Sequence, residues 1–359
     1  MRAALALARR GLGRTWPNPA VGCVIVKDGR VVGRGNTQPG GRPHAETVAL
    51  AMAGEAARGA TAYVTLEPCS HHGKTPPCAE ALVAAGVSRV VAALEDPDPR
   101  VSGRGIKLLQ EAGIATEVGL EAEVAEETNA GFLMKIRAGR PLVTLKLATS
   151  LDGRIATSTG ESQWITGPAA RARGHLLRAE TDAIMVGSAT ALADDPELTC
   201  RIPGLADRSP VRVVVDGGLR LSPASKLANT ARQVPVWVIT RERSATAQAL
   251  EDKSVEVIAV GDKGGHVDLL AGLKALAERG ITRLLVEGGA GLAAALFREK
   301  LVDRLAWFQA PMVIGGDGLP ALQGFGLDKL GAAPRFRRLA WAEPQPDLYQ
   351  YFAVISPGE

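Results

Sequence analysis

The chain has 359 residues, of which 46% are hydrophobic and 4% aromatic, and its 42 basic and 38 acidic side chains leave a net charge of +4. That length is enough for two domains, each with its own hydrophobic core. A charge this small, with no block of like charges, argues against a nucleic-acid or membrane-binding surface, and the low aromatic content argues against base stacking.

The first ten residues predict an amphipathic helix, not a secretion signal. Arg9, Arg10 and Arg14 interrupt the apolar run where a signal peptide continues it. No stretch of the sequence is apolar enough to span a membrane. Of the four cysteines, Cys23 and Cys200 show no disulfide pattern, which favours a reducing cytoplasm.

Strands and helices alternate in the first half of the chain. Asp28-Gly29 predicts a hairpin of residues 21–26 and 30–35, and helices are predicted to begin at His44 and at Cys78. Strands at 62–66 and 89–94, a helix–strand pair at 105–113 and 115–118, and a helix at 121–137 complete an α/β domain. The boundary is predicted at 138–141, which gives domains 1–140 and 141–359.

A metal-binding pattern lies in this first domain. His44 opens one predicted helix, Cys78 opens the next, and Cys69 lies in the polar loop between them. One imidazole and two thiolates suit a tetrahedral Zn²⁺ with its fourth position left for water. Glu46 points away from His44 on the first turn, so it is better placed to move protons than to bind metal.

This H-x-E…P-C pattern is typical of zinc deaminases. Deaminases in general have two residues between the cysteines, whereas eight separate Cys69 from Cys78. Two alternatives stay open: the cysteines are small buried hydrophobic residues, or His71 or His72 supplies a fourth ligand and closes a structural zinc site without turnover.

The second half again alternates strands and helices. Strands are predicted at 142–147, 183–186, 211–215, 234–239, 255–260 and 284–286, and helices at 168–179, 267–278 and 291–300. The pattern indicates an α/β domain with a mixed sheet, in which 304–309 and 348–355 are terminal antiparallel strands.

A glycine-rich segment, Glu287-Gly288-Gly289-Ala290-Gly291, joins the last of these strands to a helix. Such a turn lets backbone N–H groups approach a phosphate at a helix N-terminus, but strand–helix glycines are as often present for packing. Likewise Arg178 and Arg201 either hold a phosphate or are solvated surface charges.

The whole chain resembles the bifunctional riboflavin-biosynthesis deaminase–reductases of the RibD type. The motifs that carry the resemblance are Asn18-Pro19-Ala20-Val21-Gly22, His44-Ala45-Glu46, the Pro68–Cys78 segment with its long cysteine spacing, Lys146 to Gly153, Ser162 to Thr166, Asp194-Asp195-Pro196 and Glu287-Gly288-Gly289. The resemblance implies two α/β domains, a cytidine-deaminase-like α/β/α domain followed by a dihydrofolate-reductase-like one.

For the first domain, the resemblance implies zinc-dependent hydrolytic deamination of 2,5-diamino-6-(5-phosphoribosylamino)pyrimidin-4-one. His44, Cys69 and Cys78 would bind zinc and Glu46 would move protons. Asn18 and Lys74 would contact substrate, and Lys74 is well placed to neutralise the ribose phosphate.

For the second domain, it implies NADPH-dependent reduction of the ribosyl group of 5-amino-6-(5-phosphoribosylamino)uracil to ribityl. The implied NADPH-binding residues are Ala148, Trp164, Thr190, Asp194, Gly217, Gly289, Ala290, Gly291, Leu292, Ala293, Ala294 and Ala295. The implied substrate-binding residues are Lys146, Ser162, Arg178, Leu198, Arg201 and Glu287. Lys146 and Asp194 are the candidate polar groups near the reacting carbon.

The partners expected are phosphoribosylated pyrimidines and a second copy of the chain, as a homo-oligomer (dimer or tetramer), with no nucleic acid and no membrane. The competing enzyme hypothesis is a tRNA or nucleoside deaminase fused to an unrelated reductase. It predicts a basic groove and a short Cys-x-x-Cys, and the sequence contains neither.

Overall fold

A computed structural model of the protein describes residues 1–72, 76–99 and 101–355. The chain forms two compact units, Met1–Gly139 and Arg140–Glu359. The division falls inside the segment 138–141, where small, charged and helix-breaking residues meet. Among the described residues, the longest and most apolar helices are still too short or too polar to cross a bilayer.

The first unit is built on a five-stranded sheet. Its elements are α1 (Arg2–Arg9), β1 (Gly22–Lys27), β2 (Arg30–Asn36), α2 (Ala45–Ala53), β3 (Thr61–Val64), α3 (Cys78–Ala84), β4 (Arg89–Ala92), α4 (Arg104–Glu111), β5 (Ala115–Val118) and α5 (Ala122–Ala138). The strand order is β2-β1-β3-β4-β5, antiparallel on both sides of β1 and parallel from β3 to β5. The predicted hairpin and alternating helices are confirmed.

Glycines in β2 let helix α2 lie directly on the sheet. A Cβ added to Gly33 would stand 2.2 Å from the carbonyl oxygen of Ala49, and one added to Gly35 would stand 2.4 Å from that of Ala45. Ala45, Ala49 and Ala53 in turn present small side chains that are buried in the core. This close packing fixes the N-terminal end of α2, where His44 and Glu46 lie.

The second unit contains a nine-stranded mixed sheet. Its main elements are β6 (Leu142–Thr149), β7 (Arg154–Ala156), α6 (Pro168–Ala179), β8 (Ala183–Gly187), α7 (Ser188–Asp194), β9 (Val211–Val215), α8 (Lys226–Asn229), β10 (Val236–Thr240), α9 (Ala245–Glu251), β11 (Val255–Ala259), β12 (Asp262–Lys263), β13 (His266–Val267), α10 (Leu269–Glu278), β14 (Arg283–Glu287), α11 (Ala290–Arg298), β15 (Arg304–Gln309), β16 (Leu319–Pro320), β17 (Phe336–Ala342) and β18 (Leu348–Val354). The strand order is β11-β10-β9-β8-β14-β6-β15-β18-β17.

One strand direction was predicted wrongly. Residues 304–309 form β15, which pairs in parallel with β6 and antiparallel only with β18. The reason is that helix α11 carries the chain back across the sheet between β14 and β15, and a strand–helix–strand crossover returns the next strand in the same direction. Residues 348–354 are antiparallel as predicted, and they pair on their other side with β17, a strand absent from the prediction.

The parallel strands of this sheet end at a common edge. From β9 through β8, β14 and β6 to β15, neighbouring strands run in the same direction. Residues that follow these strands therefore meet at one side of the sheet, which is where open α/β sheets bind their ligands.

Candidate active sites

Three potential metal ligands converge in the first unit. The Nδ1 atom of His44 lies 3.3 Å from the sulfur of Cys78 and 3.6 Å from that of Cys69, and the three ligand atoms all lie within 4.8 Å of one another. His44 is the residue that caps α2, and Cys78 is the first residue of α3. Cys69 is fixed beside them because its sulfur accepts a hydrogen bond from the backbone N–H of Cys78 at 3.3 Å.

This arrangement fits zinc. Tetrahedral coordination with ordinary Zn–N and Zn–S lengths separates ligand atoms by about 3.3–3.8 Å, and the observed separations of 3.3 and 3.6 Å match it. Within the described ranges the group contains these three residues and no fourth. His72 instead bonds to Glu80 at 2.9 Å on the surface. The described geometry therefore favours an open site over a closed one.

The Cys69 and Cys78 side chains interact with one another, and the interaction shifts their pKa values in opposite directions. Hydrogen bonding with Cys78, together with His44 and the Cys78 N–H, lowers the pKa of Cys69 to about 4 despite its burial. The Cys69 sulfur and burial raise the pKa of Cys78 in return. A divalent cation binds thiolates and displaces such protons, so this pair is suited to metal binding.

Glu46 is a buried carboxyl group next to the three ligands but outside their group. Only 3% of the residue is exposed. Burial and the negative Cys69 sulfur raise its pKa to about 7. A carboxyl with a pKa near the working pH both accepts and releases protons readily, which is the property that general acid–base catalysis requires.

A cavity opens beside these groups. Its lining includes Asn18, His44, Glu46, Cys69, His71, Asp96 and Asp98. Asn18 donates a hydrogen bond to the carbonyl oxygen of Gly41 at 2.9 Å, which orients its amide. His71 places a buried Nδ1 that has no hydrogen-bond partner within the described structure. Lys74, the other predicted substrate contact, lies outside the described residues.

Sequence reasoning missed three carboxylates of this cavity. Glu67 is 3% exposed, and its oxygens accept four backbone N–H groups, those of Asp96 (3.1 Å), Gly103 (3.0 Å), Gly105 (2.8 Å) and Ile106 (3.2 Å). Asp96 and Asp98 follow β4 at the same edge of the sheet as the Cys69 loop, and burial raises the pKa of Asp96 to about 6. The signal for Asp96 and Asp98 was the Asp-Pro-Asp sequence one residue after a predicted strand.

In the second unit, an ion-pair network lies where β14 ends beside β6. Arg178 Nε and Nη2 donate to the two carboxylate oxygens of Glu287 at 2.7 and 3.0 Å, and Lys146 Nζ lies 3.6 Å from Glu287 Oε2. Burial disfavours ionisation of Glu287, but Arg178 and Lys146 outweigh it and lower its pKa to about 2. Arg178 is thus held in place by an acid, whereas Arg201 is half exposed and pairs loosely with Glu197.

The glycine-rich segment adopts a conformation that glycine permits. Gly288 and Gly289 have φ of +85° and +86°, and a Cβ on either would press against Thr190 at 3.3 Å. Helix α11 begins immediately afterwards at Ala290. The turn packs closely on Thr190, and it also presents backbone N–H groups at a helix N-terminus.

Most of the predicted reductase residues line two adjoining cavities of the second unit. Those that do are Lys146, Ala148, Ser162, Trp164, Arg178, Thr190, Asp194, Leu198, Arg201, Glu287, Gly289, Ala290 and Ala293. Those that do not are Gly217, Gly291, Leu292, Ala294 and Ala295. Leu292 lies beside Gly187, Gly291 faces Gln323, and Ala294 belongs to the core.

The chain is similar to known proteins over nearly its whole length. Residues 1–94 match the cytidine and deoxycytidylate deaminase zinc-binding region, and residues 141–348 match the RibD C-terminal domain. The riboflavin biosynthesis protein RibD of Escherichia coli is 47% identical, with 97% of this chain and 96% of that one covered. The RibD of Aquifex aeolicus is 41% identical, with 98% and 97% covered.

Solved structures agree. RibD of Acinetobacter baumannii superposes with a TM-score of 0.89 at 39% identity, covering 99% of this chain and 98% of that one. A Thermotoga maritima protein described as a diaminohydroxyphosphoribosylaminopyrimidine deaminase/5-amino-6-(5-phosphoribosylamino)uracil reductase superposes with a TM-score of 0.88 at 34% identity, covering 99% and 97%. The second domain is thus similar to the reductase half of these proteins, which argues against a deaminase fused to an unrelated reductase.

Proposed function

The chain belongs to the RibD family of bifunctional riboflavin-biosynthesis enzymes, and from this premise we propose that its two activities divide between residues 1–140 and 141–359. It is a zinc-dependent deaminase and an NADPH-dependent reductase that acts on phosphoribosylated pyrimidines. The first domain deaminates 2,5-diamino-6-(5-phosphoribosylamino)pyrimidin-4-one, and the second reduces the ribosyl group of the resulting 5-amino-6-(5-phosphoribosylamino)uracil to ribityl.

The observation that carries the deaminase assignment is the meeting of His44, Cys69 and Cys78 beside buried Glu46. These three side chains would hold zinc, which when bound lowers the pKa of water and supplies a nucleophile at neutral pH. Glu46 Oε accepts a proton from the attacking water and delivers it to the exocyclic amine. The carbon–nitrogen bond breaks and ammonia leaves with that proton, while the second proton of the water ends on the adjacent ring nitrogen and its oxygen becomes the new carbonyl oxygen.

The rest of the cavity positions the pyrimidine. Asn18 presents an amide that its bond to Gly41 already orients, so it loses little freedom when it binds substrate. Lys74 is proposed as the partner of the ribose phosphate, because a lysine is an adequate point charge for a phosphate monoester.

In the second domain, Arg178 and Glu287 form a rigid polar wall against which the phosphoribosyl group binds, together with Ser162, Leu198 and Arg201. NADPH supplies the hydride. The residues proposed to bind NADPH are Ala148, Trp164, Thr190 and Asp194, which line the cavity, and the segment 289–295. The hydride is accepted at C1′ of the ribosyl group, and the adjacent nitrogen gains a proton when the sugar reacts as its ring-opened imine. Lys146 and Asp194 are the polar groups proposed beside that carbon.

The test joins metal analysis to product analysis. The purified full-length chain should contain one zinc per molecule and release ammonia from the phosphoribosyl-diaminopyrimidine substrate. It should then oxidise NADPH once the deaminated intermediate forms. Zinc without ammonia release would mean a structural metal site, and ammonia release without NADPH oxidation would refute the reductase assignment alone.

We also propose that the protein is a cytoplasmic homo-oligomer, a dimer or tetramer. Thiolate metal ligands require reduced cysteines, which a reducing compartment maintains. Exposed apolar side chains near the end of the second unit, among them Leu330 and Trp341, are of the kind that a subunit interface covers. Light scattering on the purified chain and fractionation of cells test the two statements separately, and a monomer or a membrane-associated pool would contradict them.

A further inference from the structure

Two of the proposed substrate residues, Leu198 and Arg201, lie on one irregular loop of residues 195–201. Both line the cavity in which the phosphoribosyl group is proposed to bind. The backbone of the loop is left-handed at two positions, since φ is +38° at Asp195 and +55° at Leu198. Residues other than glycine adopt this region rarely and at an energetic cost. Contacts from outside the loop must therefore hold its backbone in place.

One of these contacts comes from Arg212 in strand β9, which is 0% exposed. Its Nη1 donates to the carbonyl oxygen of Glu197 at 3.2 Å and to Thr230 Oγ1 at 2.8 Å. Its Nη2 donates to the carbonyl oxygens of Thr230 at 3.0 Å and of Val234. The guanidinium thus ties the peptide group between Glu197 and Leu198 to the turn that follows α8.

A buried arginine is a costly residue in the middle of a parallel sheet. Burial lowers the pKa of Arg212 to about 10, so the side chain is still charged at neutral pH. Among the described residues, its hydrogen-bond partners are neutral oxygens, and the acid that favours its charged form, Glu197, is half exposed. An apolar side chain would suit the strand but could not bind these oxygens, and a lysine lacks the planar fork that reaches two segments at once. The connection that Arg212 makes therefore explains the arginine better than the packing of β9 does.

Glu197 passes this constraint on to Arg201. The backbone N–H of Arg201 donates to His175 Nδ1 at 3.3 Å, which fixes the main chain of Arg201 but not the direction of its guanidinium. That direction depends on Glu197, whose Oε2 lies 3.5 Å from Arg201 Nη1. Both side chains are about half exposed, and an exposed ion pair orients its members only weakly. Because Arg212 holds the backbone of Glu197, the carboxylate that meets Arg201 starts from a fixed position.

We propose that Arg212 is a positioning residue for the reduction: by holding the Glu197 carbonyl oxygen, it sets the place from which Arg201 binds the phosphoribosyl group. The inference rests on the proposed substrate role of Arg201 and adds the residue that prepares it. Arg212 is fully buried and does not itself reach the substrate. Its loss should therefore weaken binding of this substrate without slowing hydride transfer or weakening NADPH binding.

The test compares kinetic constants so that positioning is separated from stability. Reduction of 5-amino-6-(5-phosphoribosylamino)uracil by the full-length chain is followed as NADPH oxidation, and each substrate is varied while the other is saturating. The variants are Arg212→Met, Arg212→Lys and Thr230→Val, of which the last removes one hydrogen bond of the guanidinium and keeps a branched side chain. The control is Val213→Ala, which opens a cavity at the next position of β9, also 0% exposed, on the opposite face of the strand.

Arg212→Met and Arg212→Lys should raise the KM for the phosphoribosyl substrate by roughly 5- to 50-fold, because only a fraction of the molecules then holds the loop in its binding position. The KM for NADPH, the kcat of reduction and the rate of deamination should stay within about twofold of wild type. Thr230→Val should raise the same KM by a smaller factor, roughly two- to fivefold. Val213→Ala should lower the thermal stability of the second unit and leave this KM unchanged.

A double-mutant cycle identifies the residue through which Arg212 acts. Arg201→Met should raise the KM for the phosphoribosyl substrate, and Arg212→Lys should add much less to it in that background than in wild type, because the group that it positions is already absent. The cycle uses Arg212→Lys and Thr230→Val alone if Arg212→Met does not fold.

Three results would overturn the inference alone: a wild-type KM in both Arg212→Lys and Thr230→Val, an equal rise in Val213→Ala, or full additivity of Arg212→Lys and Arg201→Met. A wild-type KM in Arg201→Met would instead refute the proposed substrate role of Arg201, and the inference with it.

Discussion

The guanidinium of Arg178 and the carboxylate of Glu287 form a two-point ion pair, with Nε to Oε1 at 2.7 Å and Nη2 to Oε2 at 3.0 Å. The pair joins helix α6 to the end of β14, and both side chains are nearly buried. Arg178 also donates to the carbonyl oxygen of Thr199, so the pair ties the loop that carries Leu198 and Arg201 to the sheet.

Glu287→Gln should therefore harm both the stability and the chemistry of the second unit. It leaves Arg178 and Lys146 without their anionic partner, which costs about 3 kcal/mol for a nearly buried pair. The measurement is hydrogen exchange of second-unit amides, with NADPH oxidation on the deaminated substrate. Glu278→Gln, an exposed change, should lie within about 0.5 kcal/mol of wild type. Unchanged protection in Glu287→Gln would contradict the role of the pair.

The lowered pKa of Glu287 makes the stability of the second unit depend on pH. Its pKa is lowered from 4.5 to about 2 in the folded protein, so its stabilisation is fully present above the unfolded pKa and is lost as the pH falls through the folded one. The free-energy difference between wild type and Glu287→Gln should be constant from pH 7 to about pH 5 and should shrink progressively below about pH 4. Unfolding measured at a series of pH values checks this, and a difference that persists at about pH 2 would contradict it.

Glu46→Gln should separate metal binding from proton transfer. The amide preserves the shape of a side chain that is not a metal ligand, so zinc content should stay at the wild-type level. Deamination should fall by about 10² to 10⁴-fold, the usual contribution of a positioned acid–base group. Reduction of the deaminated intermediate should be unaffected. Glu55→Gln, an exposed change beyond the C-terminal end of α2, serves as the control and should deaminate normally.

Replacing each histidine of the first unit in turn should identify the metal ligands. His44→Ala should lose zinc, because it removes one of three converging ligands, whereas His72→Ala should keep it, because His72 bonds to Glu80 on the surface. His71→Ala should also keep zinc and lower activity through the cavity it lines. Metal analysis of the three purified proteins decides this. Zinc loss in His71→Ala would instead support the hypothesis of a closed zinc site with four protein ligands.

Local patterns in the sequence predicted the helix starts and hence the metal group. His44 and Cys78 each precede runs of alanine and leucine that form helices for local reasons, so both ligands were placed on the correct turns. The direction of 304–309 was predicted wrongly, because it depends on a helical crossover. The strand Phe336–Ala342 was missed because its side chains are mostly exposed, which removes the alternation of apolar and polar residues that indicates a strand.

The buried carboxylates show a second limit of prediction from the sequence, which is pairing between residues far apart in the chain. Glu67 accepts hydrogen bonds from residues 29 to 39 positions later in the chain, and no local pattern encodes such pairing. In the same way, Arg220 meets Ser188 from 32 positions away, through the adjacency of β8 and β9. Residues defined by short spacing were accessible from the sequence, and those defined by strand order were not.

Glu67 connects the Cys69 loop to helix α4. One oxygen accepts the N–H groups of Gly105 and Ile106 in the first turn of α4, and the other accepts those of Asp96 and Gly103. A glutamine at this position keeps one acceptor oxygen, but its NH₂ group takes the place of the second oxygen and faces backbone N–H donors. Glu67→Gln should therefore leave buried N–H groups unpaired and destabilise the first unit by about 2–3 kcal/mol.

The effect should reach the metal, because Pro68 and Cys69 follow Glu67 directly. A Cβ on Gly105 would stand only 2.0 Å from the carbonyl oxygen of Pro68, so α4 packs against the backbone of this loop. When the carboxylate no longer fixes α4, Cys69 loses its support, and zinc should transfer to a chelator faster than in wild type. Glu95→Gln alters an exposed residue of the loop after β4 and should change neither stability nor zinc release. Equal release rates in Glu67→Gln and wild type would show that Cys69 is positioned by its own contacts with Cys78 alone.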